Sequence, residues 1–444
     1  MAITLPAIFK DSARLSSWGR VITQFLVGHI GVTLLGSLAG LLLLRWLPKA
    51  DYARYSFAFS VQSLIAGLTD AGFTGAIIAL VGERADDPAT VGRYIKAVTW
   101  FRARLFLVMA IGSLIIIPFF CARQGWSVWD QANIIVAVLL TVAARSWAVY
   151  APALVINKRM AEIYHPQLAL TSLRLSVQVV FHFVGQLTGN IAIWLGTASE
   201  AVFNYIQYRK GKELIVEPDE SDIQTRREVL RYVAPLSFTV FYGVLQGQLV
   251  TFLTSYFGKT DDLADISALS RLFAIFNILT IFSWYILEPY CARQSLAVFR
   301  KRYPLIVGGM ALPLLLSVAL ALIWPEPFLF IMGNRYATLR PEIPLAIIMI
   351  AVGQIAGALG IINSARRLVF WSYTLVNIVV TLATQLICFR VLNLSRVHDV
   401  LLFSLCTGTA TLSVNLIVGI YCYYFRKSNE EPTQQTMNIT SHEQ

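Results

Sequence analysis

The sequence predicts an all-α polytopic membrane protein. About twelve transmembrane helices form two six-helix lobes, with both termini in the cytoplasm. Three observations predict this. The 444 residues are 57% hydrophobic and only 14% charged, with a mean hydropathy of +0.63, whereas soluble domains carry about 25% charged residues. The apolar residues come in runs close to the ~20 needed to cross a bilayer. Lys and Arg alternate between rich and poor connections along the chain.

The runs predict helices over 22–44, 54–82, 105–121, 132–156, 167–187, 189–208, 232–256, 265–291, 304–324, 342–363, 369–391 and 399–425. The third is short, and the fifth and sixth meet at a tight break near Gly189. The longest internal polar stretch, Arg209 to Arg231, carries Glu-Pro-Asp-Glu-Ser-Asp in its middle. It divides the chain into an N-terminal lobe (1–208), a cytoplasmic linker (209–231) and a C-terminal lobe (232–425). Residues 426–444 are polar and read as a disordered cytoplasmic tail. The halves echo each other faintly. Trp-Leu-Pro-Lys-Ala-Asp-Tyr-Ala-Arg-Tyr-Ser at 46–56 resembles Tyr-Phe-Gly-Lys-Thr-Asp-Asp-Leu-Ala-Asp-Ile-Ser at 256–267, and each joins the first two helices of its half. This is the pattern of parallel repeats.

With the N-terminus inside, 24 of the 36 Lys and Arg fall in inner segments and 9 in outer ones, which orients both termini to the cytoplasm. The net charge of +11 therefore reads as inner loops facing anionic lipid, not as a nucleic-acid surface. The five cysteines are scattered through apolar segments, with no metal or redox spacing. The first twenty residues lack a short apolar core followed by a small-residue cleavage site, so the first apolar run is expected to remain as a helix.

The remaining three basic residues, Arg145, Arg174 and Arg271, fall inside apolar helices. A charge at mid-membrane costs about 2.5–3.5 kcal/mol on insertion scales, so each needs a counter-ion or a wet cavity. The deep acids are Asp70, Glu200 and Glu288. Helical stripes suggest which residues share faces. Thr171, Arg174, Gln178 and His182 run along the fifth predicted helix. Ser63, Gly67, Asp70 and Thr74 share a face of the second, Thr197, Glu200 and Asn204 a face of the sixth, and His29 a face of the first with Thr33 and Ser37. Isolated hydroxyls and amides in such stripes ordinarily bond helix to helix. The cavity candidates are Arg145, Arg174, Arg271, Gln178, His182 and His29. The coupling or counter-charge candidates are Asp70, Glu200 and Glu288. The alternative for the arginines is structural ion pairing with those acids.

No phosphate-binding Gly-rich loop, zinc-protease or serine-hydrolase motif is present, so no cofactor, metal or ATP-driven module is expected and the chain does not read as an enzyme. The outer connections are short, the longest being 325–341. That argues against a membrane glycosyltransferase or polymerase with a large outer-loop site.

The turn Pro-Lys-Ala-Asp-Tyr-Ala-Arg-Tyr-Ser at 48–56 resembles the turn after the first helix in Wzx-like polysaccharide flippases. That family belongs to the superfamily of MATE exporters and the lipid II flippase. Its pattern of acid, aromatic, Gly, any residue, aromatic, small residue is met at Asp51, Tyr52, Tyr55 and Ser56, with Ala53 in place of Gly. Asp70-Ala71-Gly72 is similar to the family's Asp-x-Gly run. The resemblance implies a two-lobed, MATE-like transporter of the bacterial inner membrane. It would flip oligosaccharide repeat units on undecaprenyl pyrophosphate to the outer leaflet by alternating access, for O-antigen, capsule or exopolysaccharide. Implied partners are the lipid-linked oligosaccharide, the bilayer, protons or sodium for coupling, and other glycan-assembly proteins. The other readings are a MATE-like exporter of cationic drugs, a membrane glycosyltransferase or polymerase, and a non-transporting scaffold.

Overall fold

A computed structural model describes residues 12–366 and 371–425. The predicted tail at 426–444 lies outside the described residues. The fold is all-helical, without a strand among the described residues. Sixteen α-helices follow in order: α1 (Ser12–Trp46), α2 (Lys49–Asp70), α3 (Phe73–Val81), α4 (Pro88–Arg123), α5 (Val128–Arg145), α6 (Ala151–Ile156), α7 (Ala161–Phe183), α8 (Gly189–Lys212), α9 (Ile223–Phe257), α10 (Thr260–Phe282), α11 (Glu288–Arg293), α12 (Leu296–Ile323), α13 (Glu326–Met332), α14 (Ile343–Ala365), α15 (Trp371–Val391) and α16 (Val397–Ile420). Each of the twelve predicted ranges falls on one or more of these helices.

Nine stretches among the described residues are long and apolar enough to cross a membrane, and the bent helix α9 makes ten. The two predicted spans that miss this threshold are α7 and α8, which carry the densest polar stripes. Their polarity is the property that sets them apart.

The predicted boundaries differ most at α4. The apolar pattern predicts a start at 105 and places Arg93, Lys96, Arg102 and Arg104 in an inner loop. The helix instead starts at Pro88 and takes in all four. Asp87 caps it, accepting from the Ala89 and Thr90 amides at 3.1 and 3.2 Å, and Pro88 occupies the first turn, where its missing N–H costs nothing. Similar caps start α5 at Ser127, α8 at Thr188 and α9 at Asp222. The second predicted helix is broken in its lower half. Ala71 (φ 44°) and Gly72 (φ 87°) adopt the left-handed conformation and separate α2 from α3. The tight break before α8 has a steric counterpart. A side chain at Gly189 would sit 2.5 Å from the Asp51 carbonyl oxygen, so only glycine allows α8 to start against α2.

The chain forms two compact units. Among the described residues, the first comprises 12–275, 325–343 and 393–400, and the second comprises 276–324, 344–366, 371–392 and 401–425. In the first, α3, α4 and the start of α9 bury Phe73, Ile77, Val91, Ile95, Val98 and Val229 in one core. In the second, Phe299, Tyr303, Leu359, Ile362 and Tyr423 pack together. An amide network ties that core across helices. Asn415 donates to the Ala356 carbonyl at 2.8 Å, Asn363 to the Asn415 carbonyl at 3.1 Å, and the Tyr423 hydroxyl to Asn363 Oδ1 at 3.0 Å. Outward faces in both units expose large apolar side chains, such as Leu107, Ile115, Leu386 and Ile387. A hydrocarbon solvent rewards that arrangement and water does not.

Within the first unit, connections from one sequence half fasten helix ends of the other. The Arg335 guanidinium, in the turn after α13, donates to the Trp46 carbonyl at 3.1 Å and to the Leu47 carbonyl. Arg123, the last residue of α4, donates to the Tyr256 carbonyl at 3.1 Å and lies over the Tyr256 ring. Its neighbour Gln124 donates to the carbonyls of Ser255 and Gly258 at 2.7 and 3.0 Å. The last turns of α1 and α9 leave carbonyls without helical partners, and each is served by the connection between the third and fourth predicted helices of the opposite half. The two echoing segments also meet directly, through Lys49 and Asp265 at 2.6 Å.

Candidate functional site

The α5, α7 and α8 polar faces converge with α1 inside the first unit. Arg145 ends α5, Arg174 lies in the middle of α7, and Glu200 lies in the middle of α8. All three line one cavity of about 310 Å³, walled on the α1 side by Val32 and Gly36. Gln167, Thr171, Ser199 and Asn204 add polar lining, while Leu170 and Phe203 add apolar surface. Helical spacing explains the convergence. Positions 167, 170, 171 and 174 on α7, and 196, 199, 200, 203 and 204 on α8, recur every three or four residues and so share one face.

Charge within the cavity is unbalanced. Arg145 and Glu200 form an ion pair, each side chain about 30% exposed (31% and 29%). Arg174 lines the same space and has no ion pair among the described residues. Two arginines against one glutamate leave one excess positive charge. The hydrogen-bond balance leans the same way. Among the lining residues the buried side-chain atoms without a partner are Arg145 Nε, Arg174 Nε and Asn204 Nδ2. All three are donors. Guanidinium groups hold phosphate and carboxylate oxygens through paired N–H bonds, so a wall with surplus donors and surplus positive charge suits an anionic, oxygen-rich ligand.

The other sequence candidates occupy separate places. Gln178 and His182 lie one and two turns further along α7, outside the cavity wall. Gln178 is buried, and His182 stacks on Trp46 with ring centroids 4.3 Å apart. His29, one turn before Val32 on α1, meets the Tyr164 ring edge-on. Arg271 on α10 bonds the Tyr52 hydroxyl at 3.1 Å and lies over the Phe59 ring at 5.2 Å. Its guanidinium lies against Gly40, where an added Cβ would come within 2.9 Å of Nη1 and make the guanidinium shift. Arg271 therefore has aromatic and hydroxyl partners in place of an acid, a cation–π solution to a deep charge. Glu288 lies in the second unit at the start of α11 and makes no ion pair among the described residues.

Asp70 ends α2. It accepts from the Thr74 hydroxyl at 2.5 Å and faces Arg102 at 3.9 Å. Its side chain is 41% exposed, while Arg102 is 3% exposed. Arg102 is the deep charge that sequence reasoning missed. Placed among Lys96 and Arg104, it read as part of a loop. The Asp87-Pro88 helix-start signal would have extended α4 through it. Gln62 was missed as well. It donates to Thr141 at 2.9 Å and to Thr197 at 2.8 Å, tying α2 to α5 and α8.

Fold and site together define a multi-pass helical membrane protein with a polar cavity inside the bundle. Solved structures share this fold. An inward-facing multidrug resistance MATE family transporter of the MOP superfamily aligns over 91% of this chain and 100% of its own, at 13% identity with a TM-score of 0.59. The lipid II flippase MurJ, in an inward closed conformation, aligns over 88% of this chain and 86% of its own, at 13% identity and 0.52. The eukaryotic MATE transporter AtDTX14 aligns over 91% and 96%, at 11% identity and 0.53. No family model matches the sequence, and no curated protein matches it either. The shared property is the MATE and MurJ type of helical fold.

Proposed function

We propose that this chain is a transporter of the bacterial inner membrane that flips lipid-linked oligosaccharides. Its substrate is an oligosaccharide repeat unit on undecaprenyl pyrophosphate, moved to the outer leaflet by alternating access for surface glycan assembly. The observation that carries this reading is the donor-rich cavity, where Arg174 has no counter-ion among the described residues beside the Arg145–Glu200 pair. A lipid diphosphate supplies the missing negative charge and acceptors, and a sugar chain suits the Asn, Gln, Ser and Thr lining. Likeness in fold to a lipid II flippase supports a substrate with a lipid tail. In this reading the lobes are 1–208 and 232–425, joined by a cytoplasmic 209–231 linker, and both termini face the cytoplasm. Asp70, Glu200 and Glu288 are the candidates for coupling to protons or sodium.

Deletion of the gene tests the reading. Undecaprenyl-linked repeat units should accumulate in the inner leaflet, and wild-type chain but not Arg174→Ala should clear them. A second reading, ion-coupled export of drugs, is favoured by the likeness to multidrug MATE structures. Normal surface glycan together with drug sensitivity in the deletion strain would select it. Its weakness is the cavity's net positive charge, which repels cationic drugs.

A further inference from the structure

We infer that Glu200 is an internal competitor for Arg145, exchanging with one phosphate of a bound diphosphate and so driving its release. The inference rests on the proposed reading of the cavity as the substrate site. The two arginines stand in different states. Arg174 has no acidic partner among the described residues, so an entering anion meets it without displacing anything. Arg145 is already held by Glu200 across the same cavity. A carboxylate and a phosphate present the same kind of acceptor oxygens to a guanidinium. A second phosphate therefore reaches Arg145 only by taking Glu200's place.

The exchange has a physical consequence. A carrier must bind its substrate and then let it go, and two unopposed arginines in one cavity would hold a diphosphate too tightly. Glu200 stays tethered to α8 when displaced, one helix away from Arg145, and so remains at high effective concentration. Its return to Arg145 replaces the leaving phosphate bond for bond. The cost of leaving Arg145 uncompensated on release is avoided. Arg174 captures, and the Arg145–Glu200 pair sets how long the ligand stays.

The test uses the purified full chain in lipid nanodiscs, with inorganic pyrophosphate and inorganic phosphate as probes in titration calorimetry. Glu200→Gln should bind pyrophosphate at least about tenfold tighter than wild type, the effect of one competing charge-assisted contact, with a smaller gain for phosphate. Glu200→Asp, which keeps the charge on a shorter arm, should fall between and serves if the Gln variant does not fold. Arg174→Ala should lose both ligands. Adding Arg145→Gln to Glu200→Gln should bring pyrophosphate back to the affinity of phosphate. Equal or weaker pyrophosphate binding by Glu200→Gln and Glu200→Asp would overturn the inference. So would binding of a cation such as tetraphenylphosphonium that disappears in Glu200→Gln while pyrophosphate does not bind. If Glu200→Gln tightens pyrophosphate but reconstituted wild-type chain flips no lipid-linked oligosaccharide, the exchange stands and the substrate reading falls.

Discussion

At the residue scale, the proposed function makes the balance of charges around one cavity decide what the protein holds. Removing Arg174 removes a cavity cation with no opposing acid among the described residues, so Arg174→Ala should reduce transport by at least about tenfold, the loss of roughly 1.5–3 kcal/mol for a hydrogen bond to a charged group. Arg174→Lys should restore only part of it, because a point charge replaces a planar fork. Complementation of the deletion strain at matched expression checks both. Arg271→Ala offers a contrast. Its partners are Tyr52 and Phe59, and its loss should lower thermal stability more than ligand binding. These arginines were legible in the sequence because each interrupts an apolar run, where a charge stands out. Their grouping was not legible. Periodicity orders residues along one helix, but it does not say that α7 and α8 face α5 while Arg271 faces α2. Arg102 escaped notice for the opposite reason, since nearby Lys96 and Arg104 made it look like ordinary loop charge.

At the element scale, helix starts and breaks carry the local energetics. Ala71 pays for a left-handed backbone that glycine adopts freely, and Gly72 beside it adopts the same conformation. Gly72→Ala should therefore lower stability by about 1–2 kcal/mol. Thermal unfolding in detergent measures the shift. The polar ends add a dependence on pH. Asp87 and Asp222 are held below the usual carboxylate range, Asp87 first by the Thr90 hydroxyl and Asp222 first by the Thr225 amide. Glu326 is lowered by its hydrogen bonds from Arg340. A carboxyl whose folded pKa lies below its unfolded value stabilises fully above that unfolded value, near pH 4. The contribution fades as pH falls through the folded value. Unfolding temperature should drop on acidification below about pH 4, and the slope should flatten in Asp87→Asn and Asp222→Asn. Most helix positions are legible, because long apolar runs are hard to mistake, while the Ala71–Gly72 break and the short helix α13 carry no such signal. The start of α4 was misplaced, since basic residues in its first turns masked the Asp-Pro cap.

At the scale of the whole molecule, the first compact unit takes in residues from both halves of the sequence. The exchanged carbonyl contacts of Arg123 and Arg335 account for part of that. Leu47 is fully buried, so Leu47→Cys should resist a water-soluble maleimide and become reactive when Arg335→Ala is added. No sequence feature announced these contacts. An arginine in a short connection looks like any surface charge, and its acceptors are backbone carbonyls that every residue owns. The exchange also sets a schedule for synthesis. Arg335 lies 289 positions after Trp46, so at ~5–20 residues per second the first helix leaves the ribosome roughly 15–60 s before its distant donor exists. During that interval water or lipid headgroups must satisfy the end of α1. Nascent chains stalled before residue 335 should therefore be clipped by protease at the α1–α2 turn, while chains stalled beyond it resist.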